Sequence, residues 1–328
     1  MREYYRNARR VGENLGVAGK TGKTAGFRKQ EKRIFFVVSV IWLFCCCRGL
    51  PTQEEVFSQE EIASQVPSTV KIAGDIEAQK NILLAFAAAY PDKIKSVEFL
   101  NNDWTMAVNS KRFYYAHGRF LPEELRERWE EYQPYDFYAY PWTGTDRQRR
   151  LTFAHTVYSV GSSFLLDALY ASPNEDDSWD LQEKYSFLGV KMLIHPYIKP
   201  MLSRVEEQVR IAARTDSSIN EWIAELQTTS ITGWYWRAIA GTNRRSNHSY
   251  GIAIDLLPRE LKGRRTYWLW DIANKTSHEN YYLPPGAVIK IFEDNGFIWG
   301  GKWDTYDTMH FEYRPEILLL NNYIIEKQ

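Results

Sequence analysis

The spacing of apolar positions divides the chain into an unbroken apolar run, a polar stretch and a long body in which helical and strand periods alternate. The run, Ile34 to Cys47 (IFFVVSVIWLFCCC), holds about fourteen residues without a charge. Residues 48–74 are polar, carry Pro51 and Pro67, and read as a linker. Asp75 to Tyr90 (DIEAQKNILLAFAAAY) predicts an amphipathic helix, capped by Asp75 and stopped by Pro91. From Val97 to Arg119 the pattern predicts two or three short strands, because Trp104–Val108 and Phe113–Ala116 flank the turn-forming Asn109 and Ser110. Pro122 opens a charged helix (PEELRERWEEY), and Tyr132–Trp142, interrupted by prolines, predicts ordered coil. Residues 151–172 and 185–227 predict mainly helix, with Met201, Leu202, Val205, Val209 and Ala212 at helical spacing. Ile252 to Leu256 alternates as a buried strand does, and no repeat is visible.

The apolar run changes meaning once charge is added. Residues 1–33 hold ten Lys or Arg against three Glu, a net of +7, so the rest of this formally neutral chain carries −7. A basic head before an apolar run is a targeting signature, and fourteen residues fall short of the ~20 that span a bilayer. Residues 1–47 therefore predict export, as a cleaved signal, a lipid anchor or a retained membrane anchor. The chain's cysteines, Cys45, Cys46 and Cys47, all end this run, so neither a disulfide framework nor a cysteine metal site is available beyond it. Gly19–Thr24 (GKTGKT) imitates a phosphate loop, but the pattern needs glycine where Val17 stands and a strand before it. Neither nucleotide nor nucleic-acid binding is expected.

Chemistry concentrates in the last third. In SNHSYGIAIDLLP, His248 stands seven residues before Asp255, with Gly251 between them; WGGKWDTYDTMHFEY adds Asp307, His310 and Glu312. Two imidazoles and a carboxylate make a three-ligand set of the kind catalytic zinc uses, with one position left for water. Asp307, three residues before His310, is placed to take a proton from that water. Glu312 competes for the role, or orients His310 as its neighbour two residues along a strand. His117, His155 and His195 read as packed or hydrogen-bonded histidines. The 12 Trp, 21 Tyr and 16 Phe suit a large mixed core, and also a groove for a polar polymer.

The pattern Ser-x-His-x-x-Gly-x-Ala-x-Asp (Ser246, His248, Gly251, Ala253, Asp255), followed by Asp-x-x-His-Phe-Glu (Asp307, His310, Phe311, Glu312), resembles the D-alanyl-D-alanine carboxypeptidase and L-alanyl-D-glutamate endopeptidase family. These are zinc peptidases of bacterial cell walls, VanY-type enzymes among them. The resemblance covers about residues 185–320. It implies an α+β, hedgehog/DD-peptidase-like catalytic domain over 181–328, with a small antiparallel sheet flanked by helices, behind a mixed helix and strand region at 75–180. It implies one Zn2+ per chain on His248, Asp255 and His310, with Asp307 as catalytic carboxylate. Arg237, nine residues before Ser246, corresponds to the family arginine; aimed at the scissile carbonyl, it would contribute about 3 kcal/mol to oxyanion stabilisation. Ser246 matches a serine that touches substrate or the metal's surroundings. Arg244 and Arg245 lie in an expected turn, facing solvent or substrate carboxylates. Lys302 departs from the acidic residue several relatives carry. The implied substrate is the peptidoglycan stem peptide, met in the periplasm or cell envelope. The alternative is a non-catalytic envelope protein that keeps the zinc fold for binding.

Overall fold

The computed structural model describes residues 76–135, 140–141, 160–227, 232–239, 242–268, 280–303 and 305–321. The targeting segment, its cysteines, the linker and His155 lie outside the described residues. All described residues fall within the compact unit running from Gln53 to Gln328. Among them, no helix is long and apolar enough to cross a membrane.

Helix α1 (Ile76–Ala89) forms where expected and buries Leu83, Leu84, Phe86 and Ala87. An antiparallel meander follows, β1 (Ile94–Leu100), β2 (Asp103–Val108) and β3 (Lys111–Tyr114), three strands where two or three were expected. Its third strand ends at Tyr114, before the expected Ala116, because Ala116 and His117 take left-handed backbone (φ 45° and 54°) and start a 3-10 turn. The charged segment expected as a helix folds instead as 3-10 turns over Glu123–Glu131, kinked at Arg128, and buries none of its residues. Its apolar side chains are Leu125 and Trp129 alone, both only partly covered, too narrow a stripe to hold a regular α-helix against the body. Strands β4 (Tyr132–Gln133) and β5 (Val160–Gly161) then pair in parallel.

Helices α2 (Phe164–Leu169) and α3 (Glu175–Leu181) lead to β6 (Glu183–Phe187) and β7 (Val190–Ile194). This hairpin corrects the helical expectation for the start of 185–227. Its two-residue turn, Leu188-Gly189, has φ 48° and 90°, the left-handed pair that matches the twist of a tight hairpin. Helix resumes as α4 (Lys199–Ala212), burying Met201, Leu202, Val205 and Val209, and as α5 (Ser217–Glu225), capped by Asp216.

The second three-stranded sheet has the order β8 (Ala253–Asp255), β10 (His310–Tyr313), β9 (Phe297–Trp299), with β10 central and antiparallel to both neighbours. Helix α6 (Gly286–Asp294) precedes β9, and α7 (Pro315–Leu320) follows β10 and packs on α1. The described architecture is thus mixed, with small antiparallel sheets among helices, in keeping with the α+β expectation. One hydrophobic core joins Phe86 of α1, Met106 of the meander, Val205 of α4 and Phe311 of the second sheet. Along β10 the side chains alternate. Phe311 stacks on Phe292 of α6, with centroids 4.0 Å apart, while His310 and Glu312 turn to the opposite face.

Candidate metal centre

Strand pairing brings the first two donors together. His310 lies directly opposite Asp255 in the β10–β8 register, so their side chains leave the sheet on the same face as cross-strand neighbours. The third comes from a 3-10 turn, Asn247–Tyr250, whose entry is capped by the Ser246 hydroxyl accepting from the His248 N–H. Gly251 closes that turn in left-handed backbone at φ 71°, and a Cβ there would lie 1.9 Å from Gln182 Oε1 and 2.8 Å from the His195 amide nitrogen. The turn therefore requires glycine, and with it His248 points at the sheet.

The donor atoms meet closely. His310 Nδ1 is 2.9 Å from Asp255 Oδ1, His248 Nε2 is 3.3 Å from that oxygen, and the two ring nitrogens are 3.2 Å apart. Tetrahedral zinc with bonds of about 2.0–2.1 Å has ligand–ligand edges of about 3.3 Å, so the spacing fits such an ion. Partners on the far sides of the rings fix the tautomers. His248 Nδ1 lies 2.7 Å from the Gly233 carbonyl, which only accepts, so Nδ1 carries the proton and Nε2 offers its lone pair. His310 Nε2 lies 3.0 Å from Glu312 Oε2, and the same logic keeps the proton on Nε2, so that Nδ1, which faces Asp255 Oδ1, offers its lone pair to a cation once it gives up its own proton. Two lone pairs and a carboxylate thus converge in a buried space, an arrangement that repels itself unless something positive sits among them.

The acid–base behaviour of the site reflects that demand. Burial works against a charged His310, but its hydrogen bonds to Asp255 and Glu312, with their charges, outweigh it and push the imidazole up to about 10. Burial would raise Asp255, yet His248 and His310 hold its carboxyl far below the usual range. Glu312, also opposed by burial, is brought down to about 2 by its bond from His310, the positive charges of His310 and Arg314, and a bond from Asn247 Nδ2 at 2.8 Å. His310, Asn247 and Arg314 all engage the Glu312 carboxylate, so both of its oxygens are occupied and one of them faces the His310 ring.

Asp307 differs in every respect. Burial and the charge of Asp255 push it up to about 7, and its buried Oδ1 has no hydrogen-bond partner. A cation among the donors would lower it again. Gly300 lets this segment close up: the Asp307 N–H donates to its carbonyl at 3.0 Å, and a Cβ on Gly300 would lie 2.5 Å from the Asp307 oxygen. Tyr267 pairs with Asp307 across an antiparallel bridge, so its ring flanks the carboxyl. Arg237 is exposed, and its charge reaches Asp307. Its backbone is tied to the His248 turn through its N–H to Ser249 Oγ at 2.9 Å and its carbonyl to the Ser246 N–H at 3.0 Å.

Residues 240–313 match the family model described as D-alanyl-D-alanine carboxypeptidase. The matched span holds all three donors, Asp307, Ser246 and Glu312, and supports a peptidase with a His248–Asp255–His310 cluster able to hold a metal. Residues 82–137 match a domain of unknown function (DUF8518). No curated protein and no solved structure matches the chain.

The expectations for Arg244 and Arg245 need correction. Arg245 does not face solvent or substrate: it pairs with Asp167, donates to the carbonyls of Ser172 and Pro173, and lies 4.4 Å over the Trp236 ring. Arg244 is also largely withdrawn from solvent: burial and the charge of Arg314, opposed by Glu312 and Tyr135, lower it to about 10. Lys302 binds Glu293 at 2.6 Å, away from the donors. Sequence reasoning missed Gly233, Asn247 and Arg314. The last was detectable, since His310, Glu312 and Arg314 continue one period-two series. Gly233 acts through its carbonyl, which leaves no trace in residue type.

Proposed function

We propose that the chain is an exported zinc metallopeptidase, built on the hedgehog/DD-peptidase fold, that hydrolyses peptide bonds in peptidoglycan stems. The observation that carries this reading is the convergence of His248 Nε2, His310 Nδ1 and Asp255 Oδ1 with tautomers fixed toward one another. When bound there, zinc supplies Lewis acidity and brings the pKa of water from about 15.7 toward about 7. Asp307 takes the proton from the attacking water at its unpartnered Oδ1 and hands it to the departing amine. A cation held by the donors lowers Asp307 from its metal-free value, which keeps the carboxylate ionised and ready to accept that proton. Arg237, exposed beside Asp307, draws the substrate carbonyl into place and opposes the negative charge that grows on its oxygen. Glu312 keeps the His310 ring in register, Ser246 keeps the turn of His248 closed, and Tyr267 forms the wall next to Asp307.

The free carboxylic side of Asp307 argues for turnover over a purely binding role, because a structural carboxylate would be expected to have its buried oxygens satisfied. The test is metal analysis of the purified protein together with mass spectrometry of digested muropeptides. One equivalent of zinc and zinc-dependent cleavage are expected. Loss of a single terminal alanine marks a carboxypeptidase of the VanY type, and release of longer peptides an endopeptidase. A metal-loaded protein that leaves every muropeptide intact would favour the binding role.

A further inference from the structure

The region matching a domain of unknown function, residues 82–137, reaches the metal donors through buried polar side chains. Tyr90, at the end of α1, donates its hydroxyl to Glu316 Oε2 at 2.8 Å, and Tyr135 donates to Glu316 Oε1 at 3.2 Å. Tyr170 backs the first of these, donating to the Tyr90 hydroxyl at 3.2 Å. Glu316 also accepts from Arg314 Nε, while Nη1 of the same guanidinium faces Glu312 Oε1 at 3.4 Å. Glu312 presents its other oxygen to His310 Nε2 at 3.0 Å. Tyr90, Tyr135, Glu316, Arg314 and Glu312 are all buried, and Glu316 is wholly shielded at 0% exposure.

Such an array is a poor source of stability. Desolvation of buried ions largely offsets their attraction, and apolar side chains of similar volume often do as well. What the array supplies is direction. With both oxygens of Glu316 held, the guanidinium of Arg314 has one orientation; with Arg314 fixed, Glu312 turns Oε2 to His310. We propose that residues 82–137 act as a clamp on the metal centre, with Tyr90 and Tyr135 as positioning residues that set the ring of His310 through Glu316, Arg314 and Glu312. The clamp rests on the metal reading of the site. It gives the N-terminal region a role in the chemistry without placing any of its residues against substrate.

The experiment compares full-length wild type with Tyr135→Phe, Tyr90→Phe and the double variant, each of which deletes hydroxyls and keeps the rings. Zinc affinity is read by competition with a chromophoric chelator, ligand geometry by the visible spectrum of the Co2+-loaded protein, and folding by the melting temperature of the metal-free form. Loss of an orienting partner typically weakens metal binding about 10–100-fold. The double variant, one step further out, is expected at about 10-fold, with altered cobalt bands, and Tyr135→Phe alone at about 3-fold. Should the double variant fail to fold, Tyr135→Phe carries the same readings. Arg314→Lys, which retains the charge, should bind zinc more tightly than Arg314→Met. Wild-type zinc affinity and cobalt spectrum in the folded tyrosine variants, even with a lowered melting temperature, would reduce the array to a structural one and overturn the clamp. A wild-type protein that binds no zinc would overturn the metal reading beneath it.

Discussion

The two three-stranded sheets are both antiparallel, one a meander and the other with its last strand in the centre, and they differ in what they bury. In the meander β1–β2–β3 the fully covered side chains are Ile94, Val97, Trp104, Met106, Val108, Phe113 and Tyr114, with Thr105 as the polar exception, its hydroxyl satisfied by the Glu98 carbonyl at 3.1 Å. Two of that sheet's charges, Glu98 and Arg112, pair at 2.7 Å where water still reaches them. In the second sheet all four residues of the central strand are buried, His310 and Glu312 included. The first sheet is complete once its apolar face is covered. The second gathers Asp255 and two imidazoles in a buried space able to hold a metal, and in the metal-free form a charged His310 sits between Asp255 and Glu312 in its place.

Breaking the second sheet's side of that comparison should have the largest effect. His310→Ala or His248→Ala should remove zinc and lower muropeptide hydrolysis more than about a thousandfold, because water returns from a pKa near 7 toward about 15.7. Metal analysis and a cleavage assay check both halves, and full activity in either variant would show that the donors are misassigned. Asp307→Asn separates chemistry from metal: zinc content should stay at wild type while turnover falls about 10²–10⁴-fold, the usual contribution of a general base. Loss of zinc from that variant would instead make Asp307 a ligand.

These residues were legible in the sequence because their chemistry is written in residue type and short spacing. His248, Asp255, His310 and Asp307 all lie in two motifs, and strand register did the rest by placing His310 opposite Asp255. The hairpin at β6–β7 was not legible as such, since EKYSFLGVKMLI merges with a strongly helical stretch and only the Leu188-Gly189 turn separates the two periods. Arg245 was misread for a different reason. Its partner Asp167 lies 78 residues away, and an ion pair at that separation has no local signal. The clamp was invisible likewise, as Tyr90 and Glu316 are 226 residues apart.

The meander supplies the converse test. Met106→Ala, at a fully buried site, should cost about 2–5 kcal/mol of stability through lost transfer energy and the cavity left behind. Denaturant unfolding measures that cost, and the folded fraction should bind zinc as tightly as wild type. A large loss of zinc affinity there would mean that the two sheets are coupled through packing, and not through the tyrosine array alone.

The smallest expected effect contrasts His310 with another buried histidine. His195 accepts the Tyr197 N–H at Nδ1, 3.1 Å away, so its Nε2 donates to the Tyr170 carbonyl at 3.0 Å. The ring's two hydrogen bonds are both to backbone, and burial, which outweighs the Tyr170 carbonyl and the charge of Glu183, pushes it down to about 4 from 6.5, the direction opposite to His310. Below pH 6.5 the unfolded chain binds a proton that the folded chain refuses, so stability falls as pH falls, until the folded group also titrates near pH 4. Between pH 8 and pH 5.5 this amounts to about 1.4 kcal/mol. Replacing His195 with Gln, which cannot ionise, should flatten that part of the stability–pH curve of the metal-free protein even if the variant is less stable throughout. An unchanged slope would show that His195 is not held neutral, and that the opposite fates of the two histidines do not follow from burial and partners as argued.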